Sequence, residues 1–554
     1  MATSTAARLF WSYQAPLAGA IVAHKAFSIH IKDVTACEKA STNNIKLQSR
    51  MTSIGHFSVV SETTHNPSIV TFVMALTGST PLTAQEFSRL WRERAMEERH
   101  PRFHKKIVDG SKFIPTDDPV EDHLTETTFP VVPRTDVKTR IQQLQMTPWD
   151  LSEKLWHMWI APWGKLGASG LIDPEETISD ADSKDERKGE SLLFFRAHHA
   201  LGDGASMTAA FLDVLDEAAE IQQEIIDFLR KLRKRGERTK GFWQALGKKM
   251  KKFLVFLFGS LRALFYQMTL FWHMLWETDS WSQIRKLIRA EEQPQRTVSW
   301  SKAAPLEQVK WVAQQLSVEG KKITVNDIFC ACVSVAIGKQ LSEHRSRIQA
   351  ISTDSNPTII AKQEHFNIAF PVHLKGGVVL PGESVGNNLG AFVVRVPGEG
   401  DDPEKDDPSR SPSHQRLLQV HDTLATAKSM PFAILSHILA KGFSYASAVL
   451  PTRFVGWIYA CSNGGSIAVI SNNRGLPKPV HLGGRRVEAI YGFVPLPPGI
   501  PIGVVVMSYA GNVNLTITAE PWAVPDADQF LVWVLEEYSN LLNAARQDRS
   551  HKKL

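Results

Sequence analysis

The sequence has few cysteines and lacks the short motifs that mark zinc-binding and nucleotide-hydrolysing proteins. Its four cysteines are scattered over 554 residues as Cys37, Cys330, Cys332 and Cys461, without a Cys-x-x-Cys pair. This spacing indicates neither a zinc site nor a disulfide scaffold, and it favours a reducing compartment. No Gly-x-x-x-x-Gly-Lys loop is present, so nucleotide hydrolysis has no support.

Size and composition indicate a large globular protein. A chain of this length with 43% hydrophobic residues can bury more than one core. Strand-like and helix-like segments alternate in both halves without an internal period, which predicts two α/β domains.

One short segment carries most of the functional information. An apolar run, Ser191 to Phe195, is followed by Arg-Ala-His198-His199-Ala-Leu-Gly-Asp203-Gly204 and then by a predicted helix. A strand that ends in this way can present one imidazole to a cleft, while the Asp-Gly turn fixes the loop. Because an imidazole titrates near neutral pH, the pattern indicates a general base. The alternative is structural: backbone groups satisfy both histidines, and Asp-Gly is an ordinary turn.

The motif and its surroundings resemble the bifunctional wax ester synthase/diacylglycerol acyltransferase family, one group of the CoA-dependent acyltransferases that share His-His-x-x-x-Asp-Gly. Further landmarks follow in order along the chain: Ala6 to Phe10, His100 to Phe103, Leu155-Trp156, Thr324 to Asp327, Gly386-Asn387, Ser471-Asn472 with Gly475 and Pro477, and the strand pair Ile502 to Ser508 and Asn514 to Glu520. Lys154 replaces the family's proline before Leu-Trp, and Leu476 intrudes before Pro477. Residues 16–64 and 172–190 look like insertions, about which the resemblance says nothing.

The resemblance implies an α/β fold of two chloramphenicol-acetyltransferase-like domains with mixed sheets that share a central tunnel, plus a membrane-associated helical insertion. We therefore expect an N-terminal acyltransferase domain at residues 1–229, a basic and hydrophobic membrane-associated linker at 230–295, and a C-terminal acyltransferase domain at 296–554.

The resemblance also implies a direct acyl transfer. His199 would take the proton of a lipid hydroxyl that attacks the thioester of acyl-CoA, His198 would support the loop, and Asp203 would anchor the turn against an arginine. Gly204 would permit a close helix approach or an unusual dihedral angle. For three residues a binding role and a local structural role both stay open: Asn326 as carbonyl ligand or helix cap, and Ser471 and Asn472 as substrate contacts or turn residues. Asp327 belongs to the same supporting set.

We expect neither a metal nor a bound cofactor, since the thioester of the acyl-CoA co-substrate is already activated. The expected acceptors are fatty alcohol, which yields wax esters, and diacylglycerol, which yields triacylglycerol. The alternatives are an acyltransferase of the same fold that acts on a soluble alcohol or amine, and a catalytically silent lipid-surface protein.

The net charge of +6 comes from one patch. Residues 230–252 contain eleven Lys and Arg against Glu237, a local charge of +10, which leaves −4 for the rest. A run of about 24 mostly apolar residues, 253–276, follows directly. As a helix it is long enough to cross a bilayer, yet Arg262, Gln267 and His273 interrupt it.

A single crossing would also separate two domains that must meet. We therefore predict a helix or re-entrant hairpin in the membrane interface, with Trp243, Trp272, Trp276 and Trp281 at headgroup depth and the basic patch facing anionic lipid. This places the protein on the cytoplasmic face of the endoplasmic reticulum or on a lipid droplet. The alternatives are a buried interdomain helix and a nucleic-acid-binding arm; nucleic acid is not an expected partner because no reading motif is present.

Local patterns predict the elements around the motif. Strands are expected at 69–76, 155–160, 191–197, 298–300, 367–374 and 391–396. Helices are expected at 83–100, 205–228, 327–341, 415–428, 431–450 and 526–546, with Thr324 or Asn326 as the N-cap of the third. Residues 172–190 and 398–413 are expected to be polar loops.

Overall fold

The computed structural model describes most of the chain. The described residues are 49–63, 66–127, 134–163, 190–236, 242–276, 281, 283–285, 295–351, 365–374, 386–398, 410–446, 450–451, 454 and 465–551. The predicted opening helix landmark at residues 6–10, the first part of the 16–64 insertion and the predicted loop at 172–189 lie outside these ranges, as does most of the loop at 398–413.

Helices and strands alternate along both halves. The described helices are α1 Ser53–Ser61, α2 Ala84–Glu93, α3 Met96–Arg99, α4 Arg134–Met146, α5 Gly204–Leu212, α6 Ala218–Gly236, α7 Phe242–Trp276, α8 Leu306–Gln315, α9 Val325–Ile351, α10 Pro412–Lys428, α11 Phe432–Ala446 and α12 Ala527–His551. The strands are β1 Ser49–Arg50, β2 Ile69–Thr77, β3 Lys105–Val108, β4 Lys112–Pro115, β5 Leu124–Glu126, β6 Trp156–Trp163, β7 Glu190–His198, β8 Thr297–Pro305, β9 His365–His373, β10 Leu389–Pro397, β11 Ala468–Arg474, β12 His481–Leu482, β13 Arg485–Phe493, β14 Ile502–Tyr509 and β15 Asn512–Ala519.

The N-terminal half is built on a six-stranded mixed sheet in the order β12-β13-β2-β7-β6-β5. Strand β7 lies inside the sheet, where its residues Leu192 to Phe195 are almost completely buried. A strand enclosed on both faces needs a continuous apolar run, and this is the pattern that precedes the histidine motif. Trp91 stacks on Trp156, the first residue of β6, with ring centroids 5.0 Å apart, and both side chains are almost completely buried.

Two strands of the N-terminal sheet come from the C-terminal part of the sequence. Strand β13 pairs antiparallel with β2, with Phe493 opposite Thr71, and β12 extends the same edge. The expected domain boundaries near residues 229 and 296 stay a prediction, but the sheets show that residues 481–493 cross over and complete the N-terminal half.

The C-terminal half contains a second six-stranded mixed sheet, in the order β10-β9-β11-β14-β15-β8. Helix α12 packs against β8 and β15 of this sheet and against α9, and both helices contribute to the same hydrophobic core as the sheet. Cys330 and Cys332 lie on α9, as predicted, and both are fully buried in this core. The predicted α/β class with mixed sheets is confirmed.

Two predicted helices are interrupted. The predicted helix at 83–100 breaks at Ala95, which adopts a left-handed conformation with φ of 51°. The predicted helix at 205–228 is two helices, because α5 ends before Asp213 and α6 starts at Ala218. Asp213 accepts a hydrogen bond of 2.7 Å from Nε2 of the buried His100, and this contact fixes the break.

The apolar run at 253–276 forms part of the single long helix α7. None of the described helices combines the length and the apolarity needed to cross a membrane. The expectation that Trp281 lies at headgroup depth is wrong: its side chain is 3% exposed and packs edge-on against Trp522 and His344. The side chains of Trp243 and Trp276 lie outside the described residues.

Candidate active site

The histidine motif lies at the end of β7, where neighbouring segments hold its backbone. The N–H of His198 donates to the carbonyl of Leu155 at 2.9 Å, and the N–H of His199 donates to the carbonyl of Ser68 at 2.8 Å. The strand therefore ends with both histidines fixed between the segments that lead into β6 and β2.

His199 is the partly exposed member of the pair. Its Nδ1 lies 3.3 Å from the hydroxyl of Ser58, and its Nε2 has no hydrogen-bond partner among the described residues. Burial lowers the pKa of His199 to about 4; His198 lowers it further, whereas Asp203 and a hydrogen bond to the residue's own backbone raise it. The ring is therefore neutral at pH 7, and its Nε2 can accept a proton.

His198 is completely buried and fully bonded. Its Nδ1 accepts the N–H of Ala200 at 3.1 Å, so its Nε2 carries the proton and donates to Glu62 Oε2 at 3.0 Å. The same carboxylate oxygen accepts the N–H of Ser68 at 3.3 Å. Glu62 thereby links the motif turn to the segment before β2, which fits the supporting role predicted for His198.

Asp203 caps helix α5 and does not reach the imidazole of His199. Its Oδ1 accepts the N–H of Ser206 at 2.8 Å, and its Oδ2 accepts the N–H of Asn388 at 2.9 Å. Arg102 is the nearby arginine: burial lowers its pKa to about 10, and the charge of Asp203 opposes that shift. Since both carboxylate oxygens hold backbone N–H groups, the geometry favours an anchor over a proton relay.

Residues 386–388 of the C-terminal half lie directly on the motif turn. Besides the Asp203–Asn388 contact, the carbonyl of Gly386 accepts the Ser206 hydroxyl at 2.6 Å, and the side-chain amide of Asn387 donates to the carbonyl of His199 at 2.9 Å. The two halves of the chain thus meet at the histidine, and the Gly-Asn pair found by resemblance is part of that contact.

Gly204 is the first residue of α5 and does not have the unusual dihedral angle that was one of its two expected roles. A Cβ atom at this position would lie 3.5 Å from Nδ2 of Asn473, an ordinary contact distance. The end of β11 therefore lies over the start of α5, which brings a second C-terminal element to the site.

Asn326 and Asp327 start helix α9, but Asn326 is not its cap. Thr324 Oγ1 accepts the N–H of Asp327 at 3.4 Å, and Asp327 accepts the N–H of Thr324 at 2.8 Å. Asn326 instead accepts a hydrogen bond from the side-chain amide of the exposed Asn472. This leaves Asn326 and Asn472 joined as a polar pair between α9 and the end of β11.

Asp327 is buried beside one histidine and one lysine side chain. Its Oδ2 lies 2.9 Å from His421 Nδ1, and its Oδ1 lies 3.6 Å from Lys428 Nζ. Burial alone would raise the pKa of Asp327, but the His421 hydrogen bond, the Lys428 charge and the Thr324 N–H outweigh it and hold that pKa below its ordinary value. Ser471 lies within β11, opposite Val505 of β14, and is 9% exposed.

Ser58 and Glu62 were missed by the sequence analysis because they lie in a segment, residues 16–64, that has no counterpart in the resemblance. Thr52 accepts the N–H of Gly55 and caps α1, a pattern that could have predicted the helix. The contact of Ser58 with His199, 141 positions later in the chain, has no local signal in the sequence.

A cavity of about 630 Å³ borders Glu62 and is also lined by Ile107, Trp149 and Leu151. It reaches the carboxylate that holds His198, but His199 is not among its lining residues. This cavity is therefore separate from the imidazole of His199.

Comparison with known families bears directly on the elements around His199. The family model described as the WS/DGAT C-terminal domain matches residues 385–541, which start at the Gly-Asn pair and include β11 and Asn472. The resemblance predicted from the sequence is thereby confirmed, and no curated protein sequence matches the chain.

Solved structures share the fold over about nine tenths of this chain. The wax ester synthase/diacylglycerol acyltransferase from Marinobacter aquaeolei VT8 is 14% identical, with a TM-score of 0.52 over 90% of this chain and 100% of that chain. The first condensation domain of the CDA synthetase is 12% identical, with a TM-score of 0.50 over 91% and 98%. A trichothecene 15-O-acetyltransferase from Fusarium sporotrichioides is 9% identical, with a TM-score of 0.51 over 89% and 94%. At these identities the likeness shows the fold alone.

Proposed function

We propose that the protein is an acyl-CoA-dependent O-acyltransferase of neutral lipid synthesis, which esterifies fatty alcohols, diacylglycerol or both, with His199 as general base. The observation that carries the proposal is the state of this ring where the two halves of the chain meet: it is neutral, its Nδ1 is occupied, and its Nε2 has no partner among the residues that the structure describes.

The proposed reaction is one direct transfer. The acceptor hydroxyl gives its proton to Nε2 of His199 while its oxygen attacks the carbonyl carbon of the acyl thioester. The tetrahedral intermediate collapses, the bond to sulfur breaks, and the CoA thiolate takes the proton back from the imidazolium. The products are an ester and free CoA thiol, and the reaction needs no resident metal or cofactor.

A lipid acceptor is supported by the surface of α7. One stripe of this helix faces solvent although it is strongly apolar; its members are Phe258, Leu261, Phe265, Met268 and Trp272, and Phe265 is 68% exposed. The opposite stripe faces the C-terminal half: Ala263 and Leu270 are buried, and the ring of Tyr266 packs 5.5 Å from that of Phe432. An exposed apolar stripe of this size is unusual for a protein surface that faces only water.

Helix α11 extends the apolar surface towards the site. It packs beside α7 at Pro431 and Phe432, and it exposes Ile438, Leu439 and Tyr445. Its Ser444 hydroxyl lies 3.1 Å from His56 on α1, the helix that carries Ser58. Helix α11 therefore connects the apolar surface to α1, and α1 contacts His199 through Ser58.

We propose that this surface rests on an anionic lipid surface. The sequence of α7 places four lysines between residues 248 and 252 just before the apolar stripe, which suits a helix lying in a headgroup region. The cytoplasmic face of the endoplasmic reticulum and the lipid droplet are the proposed locations.

The test of the reaction uses the purified full chain with palmitoyl-CoA and with hexadecanol and diacylglycerol in competition, and thin-layer separation of the products. We expect ester formation, and we expect His199→Ala to lower the rate by about 10²–10⁴-fold, the usual contribution of a general base. His481→Ala, which removes a surface imidazole bound to Glu217, is the matched control and keeps its activity.

Two results would contradict the proposal. Absence of ester from both lipid acceptors, with transfer to a soluble alcohol or amine, would assign the alternative acceptor class. Full activity of a folded His199→Ala variant would remove the proposed base.

A further inference from the structure

The hydroxyl of Ser58 touches both its own helix and the proposed base. Its Oγ lies 3.0 Å from the carbonyl of Ile54, one turn earlier in α1, and 3.3 Å from Nδ1 of His199. A carbonyl oxygen can only accept, so the single hydroxyl proton of Ser58 goes to Ile54. The contact with His199 must then run from Nδ1–H to the Ser58 oxygen.

This assignment decides which nitrogen of His199 is basic. A neutral imidazole carries one proton, and a proton held on Nδ1 leaves the lone pair on Nε2. Nε2 is the nitrogen without a described partner, and therefore the one that can receive a substrate proton.

The approach of α1 to the catalytic turn is close enough to hold Ser58 in place. Gly55 is buried, and a Cβ atom at this position would lie 3.1 Å from the carbonyl of Ala200 and 3.3 Å from Nδ2 of Asn387. The Ser58 side chain is 6% exposed, so water does not easily replace it as the partner of Nδ1.

We infer that Ser58 is a positioning residue that holds His199 in the Nδ1–H tautomer and so keeps Nε2 free to act as the base. The inference rests on the proposed function for its kinetic consequence, whereas the tautomer itself can be measured without turnover. Helix α1 thus acts on the reaction through His199 and needs no contact with substrate.

The experiment compares Ser58→Ala with Ser58→Thr and with Ser88→Ala. Ser88 is a matched control because it is a buried helical serine whose hydroxyl also bonds a carbonyl of its own helix, and it lies away from His199. We expect Ser58→Ala to lower kcat roughly 10-fold, the loss that corresponds to one hydrogen bond, with little change in KM. Ser58→Thr keeps a hydroxyl and recovers part of the rate, and Ser88→Ala changes neither constant.

The tautomer is read from imidazole ¹⁵N spectra of histidine-labelled protein, with the His199 signals assigned by their absence in His199→Ala. We expect the Nδ1–H pattern in the wild type and a larger share of Nε2–H in Ser58→Ala. The same tautomer in both proteins would overturn the inference, as would equal rates. Either result would leave His199 as the proposed base. Full activity of the His199→Ala variant would instead rule out His199 as the base, independently of the result for Ser58.

Discussion

Oδ2 of Asp203 accepts the backbone N–H of Asn388 at 2.9 Å, a hydrogen bond between residues 185 positions apart that joins the two halves of the chain. The same carboxylate caps helix α5 through Ser206. The aspartate of the motif therefore holds together the parts that surround His199.

Replacement of Asp203 by Ala should reduce activity and stability together. The variant loses the cap of α5, which alone contributes about 1 kcal/mol, and it leaves the N–H of Asn388 without its acceptor. We expect a lower urea midpoint and a loss of turnover that parallels it. A loss of 100-fold or more at an unchanged midpoint would instead indicate a part in proton transfer.

The pH dependence of the rate should reflect the low pKa of His199. Because this pKa lies at about 4 and the neutral ring is the proposed base, kcat/KM is expected to stay level from about pH 8 to about pH 5 and to fall below that. Short assays at each pH, followed by a return to pH 7.5, separate titration from unfolding. A reversible half-maximal rate near pH 6.5 would contradict the expectation.

The free energy of unfolding should decrease on the acidic side of neutrality. Burial lowers the pKa of His123 to about 4 and that of His157 to about 3, as it does for His199. The unfolded chain binds protons as the pH falls below about 6.5, whereas the folded chain does not until about pH 4, so the stability difference shrinks through that window.

Urea midpoints at pH 7, 6 and 5 measure this loss. His123→Asn places an amide donor where Nδ1 of His123 contacts the carbonyl of Trp156 at 3.0 Å and removes one titrating group. The urea midpoint of the variant should therefore fall less between pH 7 and pH 5 than that of the wild type. A wild-type midpoint that does not change between pH 7 and 5 would count against the three low pKa values.

The exposed stripe of α7 should determine lipid binding. Phe258→Asp with Phe265→Asp places two charges on the apolar surface and should reduce flotation with vesicles of phosphatidylcholine and phosphatidylserine several-fold. Val532→Asp is the control, because Val532 is an exposed apolar residue on α12 and not on α7. Equal flotation of all three proteins would show that this surface does not contact lipid.

Gly390 should tolerate no side chain. A Cβ atom there would lie 1.9 Å from the carbonyl oxygen of Ala433, where β10 passes under α11. Gly390→Ala is expected to lower the free energy of unfolding by about 1–3 kcal/mol or more. Gly442→Ala on α11 meets no neighbour and should raise that free energy by about 0.4–1 kcal/mol; denaturant unfolding of both variants tests the contrast.

The sequence was informative where a pattern is local. Strand β7 could be predicted because a buried strand needs a continuous apolar run, and the motif at its end because the residue types are distinctive. The break between α5 and α6 could not, since it depends on the contact of Asp213 with His100, more than a hundred positions earlier.

The parts of the site that come from distant segments had weaker signals. Asn387 was found only by resemblance, and Ser58 and Glu62 were not found. Their contacts depend on how α1 and residues 386–388 pack on the turn of the histidine motif, which no local pattern shows. Asn326 was assigned an alternative role as cap that Thr324 fills. Thr and Asn are both favoured at the N-cap, so only the residue at which α9 begins distinguishes Thr324 from Asn326.

The crossover of β13 has a consequence for biogenesis. As the chain leaves the ribosome, β2 has one edge without a partner until residues 485–493 emerge, more than 400 positions later. During that interval an open strand edge can pair with other chains. Nascent polypeptides truncated before residue 485 should consequently depend on chaperones to stay dispersed.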